Sequence, residues 1–268
     1  MIDPRHVCLF IPANLKRFKL DLFERIGRHI EKLGGKVIRH DIAALENLPD
    51  KILPIVGCMP ELTALITKWK ATGRNRIQWD RGYCRRVFAT WLPRADTIEK
   101  SYYRWHVNHF QLRHVEPGLS PVRWNALKIP LKPWQKNGRH VVVAAPTPTY
   151  EKFHQIEGWT DRTIRYLSSI TERQVVVRQK ESKRPLQYDL DGAHCLVANG
   201  SIAAVEAAIL GCPVFDNVES AAALVGLTDL AQIERPIYPD RQPWANALAE
   251  SQFNETELVD GTLWRFLT

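Results

Sequence analysis

Short apolar runs alternate with stretches of helical periodicity along most of the chain. Val7-Cys8-Leu9-Phe10-Ile11-Pro12 is uninterrupted by charge, as expected of a strand covered on both faces. From about Asn14 to Leu33, the side chains Leu15, Phe18, Leu22, Ile26 and Ile30 recur at helical spacing, and Gly34-Gly35 ends the run. Lys36-Val37-Ile38-Arg39-His40, Lys51 to Gly57 and Arg76-Ile77-Gln78-Trp79 read as further strands. A helix from Pro60 to Thr72 lies between the last two, with proline at its start and Gly73 at its stop. Tyr102 to Gln111 also alternates like a strand.

The pattern breaks between about Val115 and Arg139, where Pro117, Pro121, Pro130 and Pro133 fall without periodicity, so this segment reads as a connection between lobes. Alternation then resumes. His140 to Ala145 is a strand that ends in the loop Pro146-Thr147-Pro148-Thr149, and Thr160 to Thr171 is a helix. Gln174 to Arg178 and Ala193 to Ala198 are strands; Ile202 to Leu210 is a helix stopped by Gly211, and Pro213 to Asp216 is another strand. Short helices around Trp244–Glu250 and Glu255–Phe266 complete the reading. Repeated strand–helix units imply mostly parallel sheets covered by helices, here in two lobes, 1–135 and 136–268.

Composition narrows this only slightly. With 45% hydrophobic and 25% charged residues the chain sits at the globular average. No apolar run reaches the length of a membrane span, and the first residues lack the layout of a secretion signal, so a cytoplasmic location is expected. The five cysteines are scattered and mostly embedded in apolar runs, which points to buried free thiols rather than disulfides or a metal site. The nine histidines show no ligand spacing either.

Charge changes the picture more. Residues 1–135 carry a balance of +12 and residues 136–268 a balance of −4. A basic lobe suggests an anionic partner, although basic surfaces also serve solubility.

The chemistry concentrates between Cys195 and Asp216. An apolar strand runs into Asn199-Gly200-Ser201 and a helix begins at once, which aims backbone N–H groups and the positive helix end outward. Gly200 would let a ligand approach the main chain, and Asn199 and Ser201 would cap the helix or meet phosphate oxygens. Glu206 is the one acid in a helix apolar on nearly every face; ribose hydroxyls would satisfy it, unless it is merely a partly exposed glutamate. Arg178 and Lys180 at the end of a neighbouring apolar strand are candidates to neutralise a diphosphate, or else are solvated charges.

At these residues the chain resembles the donor half of GT-B glycosyltransferases, most of all the capsule and surface-polysaccharide type. The likeness rests on the strand ending in Arg178, the acids Asp189 and Asp191, and Leu196-Val197-Ala198-Asn199-Gly200-Ser201. Ala203-Ala204-Val205-Glu206-Ala207 and Gly211-Cys212-Pro213-Val214 then follow in the same order. It spans about Val141 to Asp216; Gln179-Lys180 stands where such families carry His-Pro. The resemblance implies two Rossmann-like lobes with an interlobe cleft and a nucleotide-sugar co-substrate, a UDP-sugar first. Thr147, Arg178, Lys180, Asn199, Gly200, Ser201 and Glu206 would bind the donor, and metal dependence stays open.

Transfer passes through an oxocarbenium-like state with a departing anion, and an attacking hydroxyl must lose its proton. Arg178 is the candidate for the leaving group and Asp80 for the base, which would make the reaction inverting; a structural ion pair is the alternative for Asp80. The neighbourhood of Asp80 is basic and aromatic, with Trp79, Arg81, Tyr83, Arg85, Arg86 and Arg104 as candidate acceptor contacts. Arginines neutralise phosphates and aromatic faces stack on bases, so the first expectation is a hydroxymethylated base in DNA as acceptor, as in compact phage enzymes. A surface or capsular glycan is the second, and a non-catalytic nucleotide-binding protein the third.

Overall fold

The computed structural model describes residues 2–15, 17–84, 101–180, 182 and 184–267. In chain order the elements of the first half are β1 (Val7–Ile11), α1 (Arg17–Lys32), β2 (Lys36–Arg39), α2 (Ile42–Glu46), β3 (Leu53–Gly57), α3 (Thr63–Ala71), β4 (Ile77–Arg81), β5 (Tyr102–Val107) and α4 (Val122–Leu127). Next come β6 (His140–Ala144), α5 (Pro148–His154), α6 (Trp159–Ile170), β7 (Gln174–Arg178), α7 (Leu186–Leu190), β8 (Ala193–Val197), α8 (Ile202–Ile209) and β9 (Val214–Phe215). The tail holds α9 (Gln242–Glu250), β10 (Gln252–Asn254), α10 (Glu255–Val259) and α11 (Thr262–Phe266).

Among the described residues the chain forms two units, one from residues up to 84, 101–110 and 251–267, the other from 111–250. These limits differ from a division at residue 135. The tail turns back to the first unit because β10 pairs antiparallel with β5, Phe253 lying against Tyr103. No apolar run announces a strand of three residues. A capping box, in which Asn254 and Glu257 satisfy each other's backbone N–H groups, then starts α10.

The first unit is built on a six-stranded sheet in the order β10-β5-β4-β3-β1-β2. β1 to β4 are parallel, and β5 runs against β4. One face carries Leu9, Ile55, Ile77, Trp79, Trp105 and Phe253 into a core with Phe23 and Ile26 of α1 and Leu258 of α10. Side chains alternate across a strand. The register therefore sets a row of polar side chains on the other face, where Gln78 lies beside His106, Asp80 beside Arg104, and Arg104 beside Gln252.

The second unit holds a four-stranded parallel sheet in the order β7-β6-β8-β9. Val141, Val143, Cys195, Val197 and Phe215 bury one face with Leu167 of α6 and Ile233. The segment 115–139 contributes α4, whose Trp124 and Leu127 are buried and which packs against α9. Its prolines fall outside the helix interior, so they limit its length without preventing it.

Both sheets are flanked by helices, an α/β arrangement. Four of the five free cysteines are buried, Cys58 being partly so. No helix among the described residues is long and apolar enough to cross a membrane.

Candidate functional site

In the second unit the chain leaves β6 toward β7 on one side and returns past β6 to place β8 on the other. The carboxyl ends of β6 and β8 are thus where successive connections diverge, the usual place for a ligand crevice in an open parallel sheet. Two segments meet there: Thr147 with α5, and Asn199-Gly200-Ser201 with α8.

Ser201 caps α8 in extended conformation, its hydroxyl accepting from the Ala203 amide at 3.2 Å. The Ala204 amide bonds the Ser201 carbonyl at 3.0 Å. The amides of Ser201 and Ile202 have no acceptor among the described residues, so two donors remain at the positive end of an eight-residue helix.

Gly200 adopts φ +67, a left-handed conformation that disfavours any side chain. Its amide donates to Asp216 at 2.6 Å and its carbonyl accepts from Gln111 at 2.6 Å. The Tyr150 hydroxyl lies only 2.1 Å from where a β-carbon on Gly200 would stand. The close approach expected of a ligand at Gly200 is therefore made by Tyr150, and the Gly200 amide is already committed. Asn199 accepts from the Asn217 side chain at 2.6 Å instead of capping the helix. Thr147 caps α5, its hydroxyl accepting from the Tyr150 amide at 3.3 Å. Tyr150 stacks on His154 one turn later, ring centres 4.0 Å apart.

The other expected donor contacts are placed differently. Arg178 ends β7, and β6 separates it from β8, so the two strand ends are about 10 Å apart across the sheet. Its guanidinium is ion-paired with Asp189 and donates to the Arg184 carbonyl at 2.8 Å, which turns it toward the β7–α7 connection. Arg178 is thus engaged by the protein rather than presented with Ser201. Lys180 is exposed. Glu206 is 4% exposed inside the buried stretch of α8, an enclosed carboxylate rather than one on the crevice surface.

The far end of α8 is also held. Gly211 has φ +83, and a β-carbon there would meet the Pro133 carbonyl oxygen at 2.0 Å, which accounts for glycine in Gly211-Cys212-Pro213-Val214. Arg241 donates to the carbonyls of Ala208 and Lys132 and stacks on Trp134, placing a cation at the negative end of the helix. Burial lowers its pKa to about 10.

In the first unit Asp80 stands at the carboxyl end of β4, its side chain 37% exposed. It accepts from Arg104 at 2.7 Å and from the Arg81 amide at 2.7 Å. Partial burial would raise its pKa, but the Arg104 charge, the Arg81 amide, and the Lys19 and Arg81 charges outweigh that and leave it lowered. The structural ion pair is thus formed, with Arg104. That arginine is itself spent, donating also to the carbonyls of Phe110 and Arg81 at 2.6 Å each.

Trp79 is 4% exposed and packs on Phe23 at 4.0 Å between ring centres; Tyr83 is fully buried, with its hydroxyl 3.0 Å from His106. Neither ring offers a face to an acceptor, because alternation in β4 turns Trp79 into the core and Tyr83 packs beneath Arg104. Arg81 is partly buried, and Arg85 and Arg86 lie outside the described residues. His106, partly buried, has its pKa depressed to about 3, by burial first and then by the Arg104 and His109 charges.

Tyr150, Asp216, Gln111 and Asn217 complete the loop geometry without having been singled out by the sequence. Asp216 had a signal, an acid ending an apolar strand as Asp80 does. Gln111 had none, since it acts 89 residues away on Gly200. No group of three or more His, Cys, Asp or Glu suited to a metal occurs among the described residues.

No protein-family model matches the chain, and no curated protein matches it. Seven chains of solved structures do. Among them is KpsC of Thermosulfurimonas dismutans, a β-Kdo 2,7 transferase, with a TM-score of 0.52 and 12% identity over 96% of this chain and 99% of that one. At that identity the likeness is one of fold.

Proposed function

We propose that the chain is a glycosyltransferase that moves a sugar from a nucleotide-linked donor to a hydroxyl of a surface or capsular glycan. One observation carries the reading: a helix with two free amides starts at the switch point of a parallel sheet, in a chain whose fold is like that of a sugar transferase along nearly its whole length. The second unit would hold the donor, with the Ser201 and Ile202 amides and the exposed Lys180 as partners for phosphate oxygen. The first unit would meet the acceptor.

In transfer, the bond between the anomeric carbon and the phosphate oxygen breaks, and the leaving oxygen keeps the electron pair. The acceptor oxygen bonds the anomeric carbon and releases its proton to a carboxylate. Asp80 is the residue assigned to that proton; held ionised by Arg104, it is available to accept but is a weak base.

A DNA acceptor loses its support at the level of single residues. Trp79 and Tyr83 are buried, Arg104 has three protein acceptors, Arg76 is 3% exposed, and Arg74 is ion-paired with Asp50. Among the described residues, burial and pairing thus take up these stacking faces and cations, which a flipped base would need; Arg85 and Arg86 lie outside the described residues.

A panel of nucleotide-sugars should include at least one that raises the melting temperature. That labelled donor, incubated in parallel with acidic polysaccharide and with hydroxymethylated DNA, should label the polysaccharide alone. Label on DNA would reinstate the other acceptor; binding without transfer to any acceptor would leave a nucleotide-binding protein.

A further inference from the structure

We propose that Asp216 and Gln111 are positioning residues that hold Gly200 at its amide and at its carbonyl, fixing the two successive peptide groups around it, and so set the donor loop. The inference rests on the donor reading above. The Asp216 side chain is 3% exposed and aimed at the loop: Oδ1 accepts from the Gly200 amide at 2.6 Å and from the Asn217 amide at 2.8 Å. Gln111, 5% exposed, donates from Nε2 to the Gly200 carbonyl at 2.6 Å and accepts at Oε1 from the Ala221 amide at 3.0 Å. The amide and the carbonyl of one glycine, which belong to the two successive peptide groups on either side of its α-carbon, are thus both taken by buried side chains from two other parts of the unit.

The consequence is geometric. With the Gly200 amide bonded to Asp216 and its carbonyl, which shares a peptide group with the Ser201 amide, bonded to Gln111, the amides of Ser201 and Ile202 are left at the helix start without an acceptor among the described residues. Without the clamp the left-handed Gly200 has alternative conformations within easy reach, because glycine populates both signs of φ. The two donors would then lose their fixed placement. Preorganised donors are worth far more to an anionic group than donors that must be ordered on binding.

The arrangement is also one the fold does not require for packing. The second carboxylate oxygen of Asp216, Oδ2, is buried and has no hydrogen-bond partner among the described residues; the Ser220 hydroxyl is near enough to favour the charged form without bonding geometry. A buried carboxylate satisfied at one oxygen is destabilising, so an apolar side chain at 216 would serve a core better. The two amides that Oδ1 accepts offset part of that cost and give the acid a place in the loop.

The test uses the full chain and the nucleotide-sugar that stabilises the wild type. Asp216→Ala and Gln111→Ala should each raise the donor KM about tenfold or more, with kcat and acceptor KM within about twofold. Asp216→Asn keeps an acceptor at Oδ1 for both amides and should return the donor KM to within about threefold of wild type. Unchanged donor KM in folded Asp216→Ala or Gln111→Ala protein overturns the clamp, as does a failure of Asp216→Asn to restore binding. Should Asp216→Ala not fold, Gln111→Ala reads the carbonyl side of the same glycine. A wild-type chain that binds no nucleotide-sugar would overturn the donor reading itself, an outcome distinct from any difference among the variants.

Discussion

Arg104 and Asp80 face each other on adjacent antiparallel strands, the guanidinium donating to the carboxylate at 2.7 Å while its other nitrogens reach the carbonyls of Phe110 and Arg81. The arginine is 5% exposed and the aspartate 37%, so the pair is one-sided: a buried cation organises a reachable anion.

Removing the arginine should therefore hurt more than removing the acid. Arg104→Ala deprives two carbonyls as well as Asp80 of a donor, and it should lower stability by about 3 kcal/mol in urea unfolding. Asp80→Asn should lower it by about 1 kcal/mol, since an exposed partner contributes little. In a transfer assay Asp80→Asn should cut kcat by about a hundredfold or more while nucleotide-induced stabilisation persists. Equal stability losses for the two variants would contradict the geometry.

Gly200→Ala tests the crowding at the start of α8. The positive φ alone makes an alanine about 1 kcal/mol worse, and overlap with the Tyr150 hydroxyl adds to that. A total loss of about 2 kcal/mol or more is expected from both sources. Combining it with Tyr150→Phe should recover the steric part and leave the conformational part. Recovery of the whole loss would mean that φ at 200 is not constrained.

Two groups with displaced pKa values should give opposite pH dependences. Asp216 has its pKa raised to about 6, chiefly by burial, against the opposing influence of the nearby Ser220 hydroxyl and the hydrogen bonds from the Gly200 and Asn217 amides. As pH rises from about 4, the unfolded carboxyl ionises first, so stability should fall until about pH 6 and then level, a loss of up to about 3 kcal/mol. Asp216→Asn should abolish that fall. His106 behaves in reverse. Its folded pKa of about 3 lies below the ordinary imidazole value, so stability should drop as pH decreases below about 6.5, where the unfolded chain takes up the proton. His106→Gln should remove this acid sensitivity. Urea unfolding of the three proteins between pH 4 and 7 checks both signs.

Local signals carried a large part of the fold. The apolar runs at Val7, His140 and Ala193 became β1, β6 and β8, and Gly34-Gly35 and Gly211 ended α1 and α8. Ser201 was legible as a helix cap, and Asp80 as a strand-end acid with an ion pair in prospect. Such features depend on neighbours within a few residues, where backbone sterics, capping and periodic burial decide conformation.

Tertiary structure alone decided which of these residues share a place. It inserted β6 between Arg178 and Ser201, sent Arg178 to Asp189, turned Trp79 and Tyr83 inward, and returned residues 252–254 to the first sheet. It also brought Gln111, Tyr150 and Asp216 to one glycine from three separate segments. Strand order and the pairing of buried polar groups follow from how whole faces are covered and satisfied, and no short stretch of chain contains that information.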